Sequence, residues 1–304
     1  MALKKAFETT EKTAFAALLY GQTGVGKSTL ACGGEKAIMI DFDNGLERVA
    51  IKNRVDYSQA LTWDEAVADT QEAIKNGYKT VIVDTVGKMI DCIEAYIIAN
   101  NPSMKDRKGG LTLKGFGLRK QIFTDYLKTL KSSGVNVVFV AQETESEEGN
   151  KKVRRPACGS DKMATELLQD IDIAGYIHVD NGKRVVEFGC VDYAWTKNSC
   201  GLPPSVTLAD LSKGGENDAM RRIADTFVKF QQEKVKTANE YADTIAKIDE
   251  LCSGAKTAEE LTEVLGKVKD LPEVLTSKLY AKQALGNAST RIGCKWDKNA
   301  NRYA

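Results

Sequence analysis

The sequence predicts an α/β protein with a mostly parallel central sheet and a small helical region at its C-terminal end. Three observations predict it: short apolar runs recur with helix-like segments between them, a glycine-rich loop follows the first run, and strand-free charged sequence begins near residue 215. The runs are "AFAALLY" (14–20), "KAIMID" (36–41), "KTVIVD" (79–84) and "VNVVFVA" (135–141). Each is continuous and bounded by Gly, Asn or Asp, the pattern of strands buried on both faces of a parallel sheet.

The elements between the runs carry their own signals. "TWDEAVADTQEAIKNG" opens on Thr62 with Glu65 three residues on, a capping-box spacing, and closes on Gly77 as a C-cap. The β-α-β-α alternation argues for a doubly wound core. "DIAGYIHV" (172–179) and "KRVVEFGC" (183–190), joined through "DNG", predict a hairpin that ends the core with antiparallel strands. Beyond it, Ile245, Ile248, Leu251 and Cys252, then Leu261, Val264, Leu265 and Val268, repeat at helical spacing. The expected domains are a core over 1–228 and a helical appendage over 229–304. The closing stretch "STRIGCKWDKNANRYA" interleaves basic and aromatic residues, which suits single-stranded nucleic acid; packing of Trp296 within the appendage explains it equally well.

With 43 Lys plus Arg against 42 Asp plus Glu, the net charge of +1 points to no polyanion-binding surface beyond a local patch. Seven cysteines, scattered and without a CxxC pair, read as reduced thiols of a cytoplasmic protein lacking a signal-peptide-like start. No apolar run is long enough to span a membrane. The single histidine, His178, sits in a strand-like stretch and is read as structural.

Chemistry concentrates at Gly21-Gln22-Thr23-Gly24-Val25-Gly26-Lys27-Ser28-Thr29, which satisfies GxxxxGK[ST] between a strand and a helix. Its glycines let backbone N–H groups turn inward around a phosphate, Lys27 neutralises β/γ charge, and Ser28 is placed to ligate Mg²⁺; the helix start adds a favourable dipole. ATP and Mg²⁺ are therefore the expected cofactors. Asp84, closing "TVIVD", is placed to hold the metal through water, although the same aspartate would serve as N-cap of the next helix. Asp43 is the first candidate for orienting the attacking water and Asp41 the second, both at the carboxyl edge of the sheet where ligands collect. Gln142, closing the fourth run, is placed to sense the γ-phosphate.

Taken in order, the P-loop, an acid two positions past the Asp of "IMID", the "VIVDTVGKM" segment and the Gln of "FVAQE" resemble the RecA-like core ATPases, over roughly residues 10–230. Within them the chain is most similar to small phage-encoded P-loop proteins, including those of single-strand annealing systems. The resemblance implies a RecA-like P-loop NTPase fold, with Asp43 in the position of a catalytic carboxylate that is Glu in the larger recombinases. It implies DNA-contacting loops at 100–117, with Lys105, Arg107, Lys108 and Lys114, and at 143–162, with Lys151, Lys152, Arg154 and Arg155. Against the second loop, Glu143, Glu145, Glu147 and Glu148 crowd its start. A homo-oligomer, ring or filament, would bring in Lys197 from a neighbour as a finger, with Arg184 less well placed.

The expected function is Mg²⁺-ATP-dependent binding of single-stranded DNA in phage recombination, annealing or replication, with a single-strand-binding protein or other recombination protein as a further partner. The alternative is an ATP-gated interaction module that recruits such a partner without holding DNA; a helicase-type motor is the third reading.

Overall fold

The computed structural model describes residues 11–148 and 151–304. They form two compact units, Lys12–Phe230 and Gln231–Ala304. The first unit opens with β1 (Ala16–Gly21), the one-turn helix α1 (Lys27–Ala31), β2 (Ala37–Asp41) and β3 (Asp56–Gln59). It continues through α2 (Trp63–Lys75), β4 (Thr80–Asp84), α3 (Val86–Asn100), α4 (Leu113–Ser132), β5 (Asn136–Glu148), β6 (Lys151–Pro156) and α5 (Asp161–Asp170). Then come β7 (Ile173–Asp180), β8 (Lys183–Glu187), β9 (Lys197–Asn198), β10 (Ser205–Thr207) and the start of α6 (Ala219–Gly254).

The sheet runs β10-β8-β7-β1-β5-β4-β2-β3, and every neighbouring pair from β7 to β3 is parallel. This is the mostly parallel α/β sheet of a P-loop NTPase, with β8 and β10 added antiparallel at one side. Alternation within each strand explains the unbroken apolar runs. Leu18, Tyr20, Val83 and Phe139 face a core shared with α2 to α5, while Leu19, Met39, Ile82 and Val140 face a core closed by Leu30, Phe188 and Phe227. The Thr62 and Glu65 side chains form the expected capping box, and Gly77 follows the C-cap Asn76 at a φ of 73°.

Three segments depart from the sequence reading. β3 was not among the marked runs, because "DYSQ" is an edge strand paired on one side only and largely exposed. Of the stretch 100–117, residues 113–117 are helical: Thr112 accepts a hydrogen bond from the Gly115 N–H at 3.3 Å and starts α4. Gly115 and Gly117 hid that start; at Gly115 a Cβ would press on Leu111 at 3.0 Å. The stretch 143–162 holds the outer half of the β5–β6 hairpin and the beginning of α5 rather than one long loop.

In the second unit the rest of α6 packs with α7 (Ala258–Lys269), α8 (Ser277–Ile292) and a small hairpin of β11 (Trp296–Asp297) and β12 (Arg302–Tyr303). Ile248, Leu261 and Leu285 lie in its core. Trp296 meets Tyr303 edge-on at 5.1 Å between ring centroids, so the closing aromatic stretch is a packed hairpin. Among the described residues no helix is long and apolar enough to cross a membrane.

Candidate nucleotide-binding site

Parallel register gathers the site. Gly21 at the end of β1 lies opposite Gln142 on β5 and Ile177 on β7, while Asp41 on β2 lies opposite Asp84 on β4. Four chain segments far apart in sequence thus bring their functional residues to one carboxyl edge. Gly21 must be glycine, since a Cβ there would stand 2.2 Å from the Ile177 carbonyl oxygen. Gly24 and Gly26 take φ values of 81° and 104°, which turn the chain between Gln22 and Lys27. The helix that follows is only five residues, so the loop N–H groups and Lys27 must carry most of the attraction for phosphate.

The Lys27 ammonium is buried and donates to the carbonyl oxygens of Gly21 at 3.0 Å and Gln22 at 2.8 Å, and to Gln142 Oε1 at 2.9 Å. Burial lowers its pKa, against the pull of Asp84, Glu143 and Asp43. Gln142 Oε1 also accepts from Thr23 Oγ1 at 3.1 Å. The Gln142 amide, in the middle of β5, therefore ties together two parts of the phosphate loop.

Three aspartates separate by role. Asp41 is buried and spends its carboxylate on the turn after β2, accepting from the N–H groups of Asp43 (3.2 Å), Gly45 (2.9 Å) and Leu46 (2.9 Å). That makes it an organiser of the turn. Asp43 carries an ion pair with Arg48 at 3.2 Å and points back over Gly45, where a Cβ would meet Asp43 Oδ1 at 3.0 Å and Asp84 Oδ2 at 3.1 Å. The two carboxylates converge over a position only glycine leaves open.

Of the two roles expected of Asp84, geometry removes the cap. Thr85, not Asp84, caps α3, accepting from the Lys88 N–H at 3.4 Å. Asp84 Oδ2 is buried without a hydrogen-bond partner. Burial pushes its carboxyl up to about 6, with Asp43 and Asp41 adding to the rise and the Ser28 hydroxyl and Lys27 opposing it. An orphaned, desolvated carboxylate beside Ser28 fits a cation. Mg²⁺ ligated by the Ser28 hydroxyl and reached through water by Asp84 would need no larger protein cage.

The sequence pattern of the AAA domain family matches residues 13–200. The chain belongs to the AAA domain family. No curated protein matches it. Domains of this family are P-loop NTPases, and the loop, the Ser28–Asp84 pair and Lys27 are where this AAA domain would hold a nucleoside triphosphate with Mg²⁺.

The AAA domain adds one residue that sequence reasoning undervalued. Arg184, on β8, donates from Nε to the Val25 carbonyl oxygen at 3.0 Å and lies against Gly26. With Gly24, Thr29, Leu208 and Leu211 it lines a cavity of about 420 Å³ beside the phosphate loop. Its only sequence signal was a charged residue on a strand that returns past the loop. Lys197 lies away from the site of its own chain. It pairs through β9 with the opposite end of β7, and its ammonium donates to the carbonyl oxygens of Leu168 (2.7 Å) and Gln169 (3.0 Å), capping the end of α5.

The basic residues fall into two groups. On the β5–β6 hairpin each faces a carboxylate: Lys151 to Asp192 at 2.6 Å, Lys152 to Glu145 at 2.8 Å, Arg154 to Glu143 and Glu145, and Arg155 to Asp161 at 2.8 Å. Glu143 and Glu145, two of the acids at the start of this stretch, are thus partners of Lys152 and Arg154. The other group surrounds a tight turn in which Asp106 accepts from the N–H groups of Lys108 (2.8 Å) and Gly110 (2.9 Å). Lys105, Arg107 and Lys108 lie on this turn and Lys114 on the first turn of α4; among the described residues none of the four makes an ion pair. Exposed Leu113 and Phe116 lie beside them.

Proposed function

We propose that this AAA domain is a Mg²⁺-dependent ATPase of the RecA-like kind that binds single-stranded DNA and acts in phage recombination, annealing or replication. The observation that carries the reading is the convergence of Lys27, Asp84, Asp43 and Gln142 at one sheet edge, with Gln142 at the root of a projecting hairpin. ATP would lie with its phosphates in the loop and its nucleoside in the cavity beside Arg184. Mg²⁺, held by Ser28 and through water by Asp84, would neutralise charge on the β- and γ-phosphates.

Asp43, released from Arg48, would orient the attacking water. A γ-phosphate competing for Lys27 would free Gln142 and so bias the β5–β6 hairpin, linking nucleotide state to the exposed cations near residues 105–114. Phosphates and stacked bases are suited to that surface of exposed cations beside Phe116. The active form would be a homo-oligomer.

A second reading, an ATP-gated module that recruits a partner without holding DNA, is favoured by the ion pairs that already occupy the hairpin cations. The deciding experiment is anisotropy of a labelled single-stranded oligonucleotide with protein, Mg²⁺ and a non-hydrolysable ATP analogue over a range of salt. Nucleotide-dependent, salt-sensitive binding supports the first reading; no binding in any nucleotide state supports the second.

A further inference from the structure

The second unit holds an open groove of about 480 Å³ between α6, α7, α8 and the β11–β12 hairpin. That size falls within the range of small binding pockets, about 300–1,000 Å³. Its floor is apolar, with Ile248, Leu265, Val268 and Leu285 beneath, and Trp296 and Tyr303 form one side. Trp296 is 36% exposed although it is the largest side chain of the unit.

Charge at the mouth is one-sided. The charged lining residues are Lys269, Lys278, Lys282 and Glu273, and Glu273 is taken up by an ion pair with Lys278. Among the described residues Lys269 and Lys282 make no ion pair. The unit as a whole carries nearly as many acids as bases, so the excess at this mouth is local. Two unpaired lysines over an apolar floor match a ligand with carboxylates flanking a buried apolar side chain. A nucleic-acid backbone would satisfy the lysines but leave the aliphatic floor unused, whereas an uncharged apolar segment would leave the lysines unanswered.

We propose that this groove is a docking site for an acidic peptide segment of a partner protein, anchored by an apolar or aromatic side chain. The proposal is independent of the nucleotide site in the first unit. It is tested on the full chain with a fluorescein-labelled peptide of four aspartates followed by Leu-Phe. Two control peptides replace the aspartates with lysines or the Leu-Phe with alanines.

The acidic apolar peptide is expected to bind at least about tenfold more tightly than either control, and Lys269→Glu/Lys282→Glu to lose at least about tenfold in affinity. Lys234→Glu/Lys256→Glu, at exposed positions away from the groove, is expected to bind as the wild type does. Circular dichroism checks that both variants keep their helices. Equal binding of the alanine control, undiminished binding by Lys269→Glu/Lys282→Glu, or no peptide binding at all overturns the proposal. So does an oligothymidylate that displaces the peptide from the groove, which would make the surface a nucleic-acid site. Self-association that is lost in Lys269→Glu/Lys282→Glu, without peptide binding, would assign the groove to a second copy of the chain.

Discussion

The Lys27 ammonium and the Gln142 amide oxygen, 115 residues apart in sequence, are hydrogen-bonded at 2.9 Å. The parallel register of β1 and β5 makes this contact possible, because Gly21, the last residue of β1, lies beside Gln142 in the middle of β5. Phosphate and Gln142 therefore compete for one donor. Gln142→Ala removes the competitor without touching the loop backbone. Nucleotide affinity is expected to stay equal or rise, while the stimulation of hydrolysis by single-stranded DNA is lost. Calorimetric titration with nucleotide and turnover with and without oligonucleotide check the two halves separately; a variant that hydrolyses and responds like the wild type removes Gln142 from the coupling.

Lys27→Ala tests the loop itself. A hydrogen bond to a charged group contributes about 1.5–3 kcal/mol, so nucleotide affinity should fall by about 10- to 100-fold. Equal affinity in wild type and variant would overturn the phosphate-site assignment.

Asp84 gives a pH dependence with a defined sign. In the folded chain its carboxyl titrates at about 6, against an ordinary value of 3.8, so between these values the folded state binds more protons than the unfolded one. The contribution of Asp84 to metal-free stability is therefore fully present at and below the lower value and is lost as pH rises through 4 to 6, by up to about 3 kcal/mol. Mg²⁺ needs the ionised carboxylate and reverses the trend above pH 6. Thermal melts between pH 4 and pH 8, with and without Mg²⁺-nucleotide, should show both slopes. In Asp84→Asn the metal-free slope across pH 4–6 and the Mg²⁺ rescue should both disappear; a pH profile unchanged from wild type rules out Asp84 as the buried acid.

Asp41 and Asp43 stand two residues apart and should fail in different ways. Asp41→Ala strips acceptors from three N–H groups, two of them in buried bonds, and should cost about 2–4 kcal/mol of stability. Asp43→Ala removes only an exposed-side ion pair with Arg48 and should melt close to the wild type while losing hydrolysis and keeping nucleotide. Melting curves and turnover for the pair distinguish a turn organiser from a water-orienting group, and the assignment fails if Asp43→Ala turns over ATP at the wild-type rate.

The strands, the phosphate loop and the capping box at Thr62 were legible because each depends on local rules: apolar runs, glycine spacing, a Thr and a Glu three residues apart. What stayed hidden depends on partners distant in the chain. That Asp84 is not the cap of α3 is decided by Thr85 taking that place, which leaves the Asp84 Oδ2 buried without a partner. That Asp41 organises the turn is decided by which N–H groups the folded chain presents to it. Arg184 reaches the loop only because β8 returns antiparallel beside β7, whereas Lys197, expected to act on a neighbour's site, is held by β9 at the other end of the same strand. Ion pairing likewise gives Lys152 and Arg154 carboxylate partners in Glu145 and Glu143 across β5 and β6, and gives Lys151 and Arg155 partners in Asp192 and Asp161.

That pairing leads to the last prediction, which ranks the two basic surfaces. A phosphate approaching Lys151 or Lys152 must displace a carboxylate already 2.6 or 2.8 Å away, so little counterion is released there. Lys105, Arg107 and Lys108 face solvent without carboxylate partners among the described residues, and binding there exchanges condensed ions for protein charge. For single strands each neutralised phosphate contributes about 0.7 to the slope of log affinity against log salt, so Lys105→Ala/Arg107→Ala/Lys108→Ala should reduce that slope by about 2. Lys151→Ala/Lys152→Ala should leave it nearly unchanged. Oligonucleotide anisotropy across a salt series measures both variants in one assay. The opposite ranking would mean that the hairpin exchanges its carboxylates for phosphates when DNA binds, and would move the DNA surface from the Asp106 turn to β5 and β6.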